Sequence, residues 1–379
     1  MADQYTGLST TLRDSYLKLT SLDAYSKAVQ WACFTATPFC KALGLAGFGV
    51  DGMKNADAFG AARPTGSMVR YDSGKYAIRG SVFATAPTAY HIGRLGNTTP
   101  ELVEGGDEYA YAWNRMLVSE FIPDVDVDDN SDGLISIKAQ KMEGMKQSAV
   151  QGFTRGVLGN SSAPDYGTYG PYAAGSDLSH LISITQTTAD VGCIDRAALV
   201  GSTYYWRNQF KALTSIGGGG EMDRPLPLRR ALLDVFNDTM ALAESSNDYL
   251  LLASQGAYQY FDRLGYADKV QGGGMAVNKD FYEVSIPHFM FNGNPLIWDP
   301  SVAVPVGATA STESIYGIHK PSFFVGIRKE NNFKILDWEA PRNHDVQRTV
   351  VAHIDLRYTP GVSLRRSHFV LYNMPACPD

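Results

Sequence analysis

A short acidic stretch is the clearest candidate for metal chemistry in this 379-residue sequence. Four of its residues have the spacing of the first half of a helix–loop–helix calcium site: Asp128, Asn130, Asp132 and Gly133. The twelfth position of such a loop needs a glutamate that supplies two oxygens, but this chain has Ala139 there. We therefore interpret the stretch as an acidic cap on the following helix, because acidic side chains favour a helix start. Weak calcium binding by Asp128, Asn130 and Asp132 stays open as the alternative.

No other group of reactive residues has the spacing of a catalytic or cofactor site. The 7 histidines form no HxxxH or HExxH pair, the serines form no GxSxG elbow, and the glycine run at 217–220 lacks the lysine of a phosphate-binding loop. The arginine pairs at 229–230 and 365–366 are interpreted as solvated faces or salt-bridge partners rather than phosphate clamps. We therefore expect neither an enzyme nor a bound cofactor.

Composition predicts a folded protein of two or three domains. Hydrophobic residues make up 44% of the chain and charged residues 19%, which excludes a largely disordered chain. The 33 basic and 39 acidic residues give a net charge of -6, which argues against an extended nucleic-acid-binding surface. The 4 cysteines form no CxxC pair and are predicted to be free thiols in a reducing compartment. The sequence shows neither a signal peptide nor a membrane-spanning apolar run, so we predict a soluble, unsecreted protein.

One long amphipathic helix is predicted over 133–158, and we call it the spine. Apolar residues recur there at steps of three and four, which places them on one face: Met142, Met145, Ala149, Phe153 and Val157. Gly159 suits the end of the helix. Roughly 25 residues at 1.5 Å per residue make a rod of about 38 Å, which is long enough to cross a whole domain.

A long two-stranded ribbon is predicted over 75–118. Its return strand alternates over 109–117, which would place Tyr109, Tyr111 and Trp113 on one side together with Arg115 and Leu117. The tip of the ribbon is rich in turn residues and acidic: Glu101, Glu104, Asp107 and Glu108. An isolated hairpin is marginal in water, so we expect the ribbon to lie on another surface. A neighbouring subunit is the natural candidate, with the four acidic residues as its contacts.

The rest of the chain predicts an N-terminal helical arm and a smaller α/β unit. Further helices are predicted over 12–43, 223–243 and 255–264, and strands over 249–254, 289–300, 350–358 and 369–372. The strand at 350–358 alternates well, so its sheet should have one buried and one wet face.

One segment resembles a known protein family. Residues 192–210 read GCIDRAALVGSTYYWRNQF, with an isoleucine–aspartate–arginine block at 194–196 and a tryptophan–arginine–asparagine–glutamine block at 206–209. Together with LLLASQGAYQYFDRL at 250–264 and FMFNGNPLIWDP at 289–300, these blocks resemble a group of tailed-bacteriophage major capsid proteins. The chain departs from the family pattern at Cys193, where a second glycine is usual, and around 315–319.

The resemblance implies an α+β, Hong Kong 97-like capsid fold. Such a fold has an N-terminal arm, an extended β-hairpin loop, a peripheral domain that carries the spine helix, and an axial domain at the capsomer centre. In this sequence the arm would be 1–43, the extended loop 71–118, the peripheral domain 44–70, 119–224 and 336–379, and the axial domain 225–335.

The resemblance also implies a function and partners. Members of the family self-assemble as pentamers and hexamers into an icosahedral shell around double-stranded DNA. We therefore expect a structural protein of the virion capsid that is assembled in the host bacterial cytoplasm. Its partners would be itself, a separate scaffolding protein, a portal, a decoration protein and packaged DNA, with no membrane. A shell protein of an encapsulin-like bacterial compartment stays open as the alternative.

Overall fold

The structure is a computed structural model, and it describes residues 38–43, 68–73, 76–83, 106–123, 126–127, 136–159, 177–184, 191–194, 199–200, 203–204, 206–213, 225–240, 248–259, 261, 289–305, 307–308, 313–339 and 349–374. Its helices are α1 (Pro38–Ala42), α2 (Ile137–Leu158), α3 (Leu178–Leu181) and α4 (Pro225–Met240). Its strands are β1 (Val69–Asp72), β2 (Tyr76–Phe83), β3 (Gly106–Ala112), β4 (Asn114–Pro123), β5 (Leu199–Val200), β6 (Thr203–Tyr204), β7 (Gln209–Ala212), β8 (Tyr249–Ala253), β9 (Phe289–Phe291), β10 (Asn294–Trp298), β11 (Glu313–His319), β12 (Phe323–Arg328), β13 (Lys334–Glu339), β14 (Thr349–Val362) and β15 (Phe369–Met374). None of the described helices is long and apolar enough to cross a membrane.

A five-stranded sheet is built around the long strand β14. β12 and β13 pair with successive parts of one side of β14, β4 pairs antiparallel with the other side, and β1 adds a parallel strand beside β12. As the alternation predicts, one face of β14 is buried, through Ala352, Ile354, Leu356 and Tyr358. The even-numbered residues of β4 face the same way, since Met116 and Val118 pack against this core.

The spine helix packs on the buried face of this sheet. Four of the predicted stripe residues are buried and the fifth packs partly buried against the same core: Met145, Ala149, Phe153 and Val157, with Met142. The Phe153 ring lies 5.0 Å from Tyr358 and 6.0 Å from Phe333, both edge-to-face. On the polar side of the helix, Lys141 forms an ion pair with Glu120 of β4. The predicted stripe is therefore the contact between helix and sheet.

The predicted end of the spine is confirmed, but its predicted start was wrong. Gly159 ends the helix with a left-handed φ of 84°, and its N–H bonds to the Arg155 carbonyl. The helix begins at Ile137 rather than at residue 133, because Ser136 holds the extended N-cap conformation. The acidic stretch at 128–132 therefore precedes the N-cap by at least four residues and does not supply it.

A six-stranded sheet forms a second layer, in the order β7-β15-β11-β8-β10-β9. Its strand β8 is buried along its whole length, as the apolar run at 249–254 predicts. The helix α4 packs on this sheet through Leu232 and Phe236, and the Phe236 ring lies 5.2 Å from Tyr249 and 6.2 Å from Phe369. The final strand, predicted over 369–372, is confirmed as β15.

The segment 289–300 is a hairpin rather than the single strand predicted. β9 and β10 pair antiparallel, with Phe291 opposite Asn294. Asn292 and Gly293 form the turn between them, with φ of 50° and 81°. Two consecutive positive φ values match the right-handed twist of paired strands, and Asn-Gly is a sequence that adopts them readily.

The base of the predicted ribbon is confirmed, but its two faces exchange at Trp113. β2 pairs antiparallel with β3 along its length. On β3 the odd-numbered Tyr109 and Tyr111 are buried, whereas on β4 the odd-numbered Arg115 and Leu117 are exposed. The prediction that 109–117 forms one unbroken strand with a single aromatic side was therefore wrong. The chain leaves the two-stranded ribbon at Trp113 and enters the five-stranded sheet, where β14 decides which side is buried.

Strand pairing also bears on the predicted domain ranges. β12 lies in the range given to the axial domain but pairs with β14 in the five-stranded sheet. β15 lies in a range given to the peripheral domain but pairs with β11 in the six-stranded sheet. The division into arm, loop and two domains stays a prediction. The pairing of β12 and β15 suggests that its boundaries follow the two sheets rather than the predicted residue ranges.

Two chain segments connect the sheets side by side, one at 320–322 and the other at 363–368. The Ser363 N–H donates to the Ser322 carbonyl at 2.8 Å, and Ser322 Oγ lies 3.0 Å from His368 Nε2. The His319 N–H donates to His368 Nδ1 at 3.1 Å. Because Nδ1 accepts this bond, the buried ring of His368 is neutral, with its proton on Nε2.

Acid should weaken this junction. Burial, helped by His319 and Arg365, lowers the pKa of His368 well below its usual value. The unfolded chain binds a proton at this histidine below about pH 6.5 and the folded chain does not, so the free energy of unfolding should fall below that pH, by up to about 1.4 kcal/mol per pH unit. Above about pH 6.5 the contribution of the neutral His368 to the free energy of unfolding is complete. Urea unfolding of the wild type and of His368→Gln, measured from pH 8 to pH 5, checks this.

The quantity to compare is the difference in the free energy of unfolding between the wild type and His368→Gln. This difference is needed because another buried group makes stability depend on pH in the opposite direction. Burial raises the pKa of Asp299 to about 6, so its contribution to stability is complete at low pH and is lost as pH rises through about 6. The control is His353→Gln, since His353 is only half-buried. A pH profile for His368→Gln that matches the wild type would refute the assignment.

Candidate assembly surfaces

Two buried tyrosines attach the base of the ribbon to the rest of the molecule. Tyr111 Oη donates to the Val362 carbonyl at 2.9 Å and accepts from the Val362 N–H at 3.2 Å. Burial raises the pKa of Tyr111 above its ordinary value, so the hydroxyl keeps its proton and can donate. The Tyr109 ring stacks on Trp206 at 6.1 Å. The base of the ribbon therefore contacts both the end of β14 and Trp206.

The segment that carries the family resemblance forms the other side of this attachment. Trp206 is buried, and its Nε1 donates to the Val191 carbonyl at 2.9 Å. Gly192 and Cys193 make a tight turn with φ of 61° and 69°, and the Gly192 carbonyl accepts the Ala110 N–H at 3.0 Å. Cys193 thus occupies a left-handed position that glycine adopts at lower cost, which explains why a second glycine suits this site. Residues 195 and 196 lie outside the described residues.

Arg365 joins this attachment to the connection between the sheets. Its Nε donates to the Leu181 carbonyl at 2.6 Å, its Nη1 to the Trp206 carbonyl at 3.0 Å, and its Nη2 to Ser183 Oγ at 3.3 Å. The side chain is buried, so the interpretation of this arginine as part of a solvated face was wrong. The planar guanidinium thus bonds three groups on two separate segments, at 181–183 and at 206, which a solvated pair would not do.

The acidic residues predicted to make contacts are only partly described. Asp107 and Glu108 are exposed on β3. Glu101 and Glu104 lie outside the described residues, as do Asp128, Asn130 and Asp132 of the calcium hypothesis. Within the part of the chain that the structure describes, no cluster of His, Cys, Asp or Glu could hold a metal ion. Cys40 and Cys193, the described cysteines, are free thiols.

The five-stranded sheet also has an exposed face, opposite the spine helix, which we call the outer sheet face. Leu117 and Phe121 of β4 are 49% and 48% exposed there, and Leu336 of β13 is 41% exposed. The sheet register connects them: Leu336 is opposite His353, and His353 is opposite Ser119 between the two β4 residues. The outer sheet face consists of Arg115, Leu117, Ser119 and Phe121 on β4, Val351, His353, Asp355 and Arg357 on β14, and Lys334 and Leu336 on β13.

One end of the outer sheet face is basic. Arg115 lies directly opposite Arg357, and Lys334 lies opposite Asp355. The buried Asp355 carboxylate accepts from Arg115 Nε at 2.7 Å and from Asn331 Nδ2 at 2.6 Å. Among the described residues, the buried Nε of Arg357 has no hydrogen-bond partner.

Comparison with known proteins identifies the fold. No family model and no curated protein matches the chain. The chain is similar to the capsid of cyanophage A-1(L), with a TM-score of 0.55 and 12% identity over 94% of this chain and 99% of that chain. For the capsid of cyanophage P-SCSP1u the TM-score is 0.51, with 12% identity over 99% of both chains. This chain has the fold of phage capsid proteins. A chain from Mycobacterium phage Cain is also similar, with a TM-score of 0.51 and 14% identity over the full length of both.

The comparison confirms the α+β fold class and the resemblance to phage capsid proteins at the level of fold. Identities of 12–14% do not transfer individual residues, so the surfaces described above depend on this chain alone. The role of the acidic residues at 101–108 as contacts stays a prediction, and sequence reasoning missed the outer sheet face and Arg365. The exposure of Leu117 follows from the pairing of β4 with β14, which the local sequence does not reveal.

Proposed function

We propose that this protein is a major capsid protein of the Hong Kong 97 type, which self-assembles as pentamers and hexamers into an icosahedral shell around double-stranded phage DNA. The observation that carries the proposal is the fold shared with capsid chains over nearly the full length of both partners. A likeness over one domain would fit many functions, whereas the likeness to the cyanophage A-1(L) capsid chain covers 94% of this chain and 99% of that chain.

The described elements suit the parts expected of such a subunit. In this proposal the extended loop is the ribbon that contains β2 and β3. The peripheral domain contains the five-stranded sheet and the spine helix α2, and the axial domain contains the six-stranded sheet and α4. We propose that β12 and β15 belong to domains according to their sheets rather than according to the sequence ranges.

The function would be collective and structural rather than catalytic. Many modest interfaces repeated by symmetry close a shell, with the acidic residues at 101–108 making contacts between subunits. A scaffolding protein, a portal, a decoration protein and non-specific contact with DNA belong to the same proposal, as does assembly in the host cytoplasm. The encapsulin-like alternative is not favoured, because the similar structures named above come from phages.

Particle formation tests the proposal. The full chain, expressed alone and together with neighbouring phage genes, should yield closed particles that sediment far ahead of the 41.3-kDa monomer and are visible in electron micrographs. Cryo-electron microscopy should then place each chain in a pentamer or hexamer. A chain that stays monomeric under all of these conditions would rule out the shell function.

A further inference from the structure

We propose that residues 38–43 are a clasp between the six-stranded sheet and the spine helix, and that a proton on Asp299 keeps this clasp closed. The segment contains α1 and lies at the end of the range predicted for the arm. The proposal concerns a single chain, so it does not depend on the shell function. Three observations carry it: the burial of the segment, its hydrogen bond to Asp299, and the lack, among the described residues, of an ion pair with that carboxyl group.

The clasp is buried within the fold. Four of its side chains are almost completely inaccessible to water: Phe39, Cys40, Ala42 and Leu43. Its helix α1 contacts both β10 of the six-stranded sheet and the spine helix α2. At the spine helix, the Cys40 thiol forms a hydrogen bond with the Thr154 side chain. A helix of 5 residues is not stable in water by itself, so these contacts hold the segment in place.

Asp299 joins the clasp to the six-stranded sheet. Its Oδ2 accepts the Phe39 N–H at 3.0 Å, across 260 positions of the chain. Pro38 has no N–H, so the N–H of Phe39 is the first in this helix that needs an acceptor. Asp299 Oδ1 accepts the Ser301 N–H at 2.8 Å. The Asp299 N–H donates to the carbonyl of Ala253, at the end of β8, at 3.2 Å.

The charge of this carboxyl group has no neighbouring cation in the described part of the chain. Asp299 is fully buried, and none of the ion pairs there includes it. Its donors are two backbone N–H groups and the Ser301 hydroxyl, all of them neutral. The titratable group that faces it from α1 is the Cys40 thiol, which stays neutral because burial raises its pKa to about 12. Its contacts from β8 and from its own turn, Ala253 and Ser301, do not titrate. An ionised carboxylate is costly in such a place.

Opening of the clasp should therefore depend on pH. Burial raises the pKa of Asp299 to about 6 in the closed state, from an ordinary value of 3.8 that water restores when the clasp opens. The closed state thus binds the proton more tightly, and its advantage is complete below about pH 4 and is lost as pH rises through about 6. The equilibrium constant for opening should rise about tenfold between pH 5 and pH 8. The sheet and the spine helix therefore hold α1 more firmly in acid than at neutral pH.

Hydrogen exchange of the full, unassembled chain tests the clasp. Peptides that contain residues 38–43 report local opening, and peptides from the fully buried strand β8 report opening of the whole fold. Exchange of 38–43, corrected for the intrinsic effect of pH on exchange, should be faster than that of β8 and should increase about tenfold from pH 5 to pH 8. Equal protection of the two segments, or no change in 38–43 with pH, would overturn the proposal.

Three substitutions separate the proton from the packing. Asp299→Asn keeps an oxygen acceptor but does not titrate, so exchange of 38–43 should be equal at pH 5 and pH 8 within about twofold. Ser301→Ala retains the carboxyl group and removes a bond that lowers its pKa, so the change with pH should be at least about twofold larger than in the wild type. Thr154→Val removes the bond to Cys40 and should raise exchange by the same factor at both pH values. A wild-type response to pH in Asp299→Asn, or a response in Ser301→Ala no larger than in the wild type, would refute the role of the proton.

Discussion

Replacing Phe153 with alanine is expected to lower the free energy of unfolding by about 3–5 kcal/mol. The ring is buried between the spine helix and the five-stranded sheet, where it contacts Tyr358 of β14 and Phe333. Alanine would leave a cavity that the helix cannot close, because the rest of its stripe holds it on the same sheet. Urea unfolding followed by far-ultraviolet circular dichroism gives the measurement.

Phe210→Ala is the matched control, because this phenylalanine is 41% exposed on β7. Its loss should change the free energy of unfolding by no more than about 0.5 kcal/mol. Equal effects from the two substitutions would mean that the spine does not depend on its apolar stripe. A Phe153→Leu variant, which fills most of the space, should fall between the two.

The spine shows which parts of the fold the local sequence determines. Its apolar period predicts the buried face because burial on one side of a helix is repeated every 3.6 residues. Gly159 predicts the end because few other residues adopt the left-handed conformation there. The start was misplaced because an acidic cluster resembles a cap, whereas the N-cap position is occupied by Ser136, which has the extended backbone conformation but whose side chain makes no capping hydrogen bond.

The ribbon shows where such reasoning stops. Alternation assigns side chains to faces only while a strand stays unbroken, and the break at Trp113 reverses the assignment between Tyr111 and Leu117. Which face of β4 is buried depends on β14, more than two hundred residues further along the chain. The outer sheet face could therefore not be predicted from the sequence, because it depends on which strands pair rather than on any one segment.

The candidate assembly surfaces also include one part that the sequence could predict and one part that it could not. The acidic tip is one contiguous segment, so its charge could be recognised from composition alone. The outer sheet face combines residues of three strands, and its basic end exists only because the sheet register places Arg115 opposite Arg357. The resemblance to capsid proteins was also recognised from short contiguous sequence blocks. The fold comparison supports that interpretation, although no family model matches the chain.

Replacing Arg365 with alanine should lower the free energy of unfolding by about 3–5 kcal/mol. The substitution removes the donor from the Leu181 and Trp206 carbonyls and from Ser183, all in a buried region. Each buried acceptor that loses its partner costs about 1–3 kcal/mol, and water entering the space left by the side chain recovers part of this. Arg365→Lys should be intermediate, since lysine keeps the charge but lacks the planar fork.

The neighbouring Arg366 is the control, because it is half-buried and its alanine variant should lose no more than about 1 kcal/mol. A second readout separates loss of charge from loss of packing. Arg365 is one of the groups that hold the pKa of His368 down, so this pKa should rise in Arg365→Ala and stay low in Arg365→Lys. Nuclear magnetic resonance titration of the histidine would show it. Similar losses of stability in Arg365→Ala and Arg366→Ala would mean that the junction between the ribbon and the two sheets does not depend on this guanidinium.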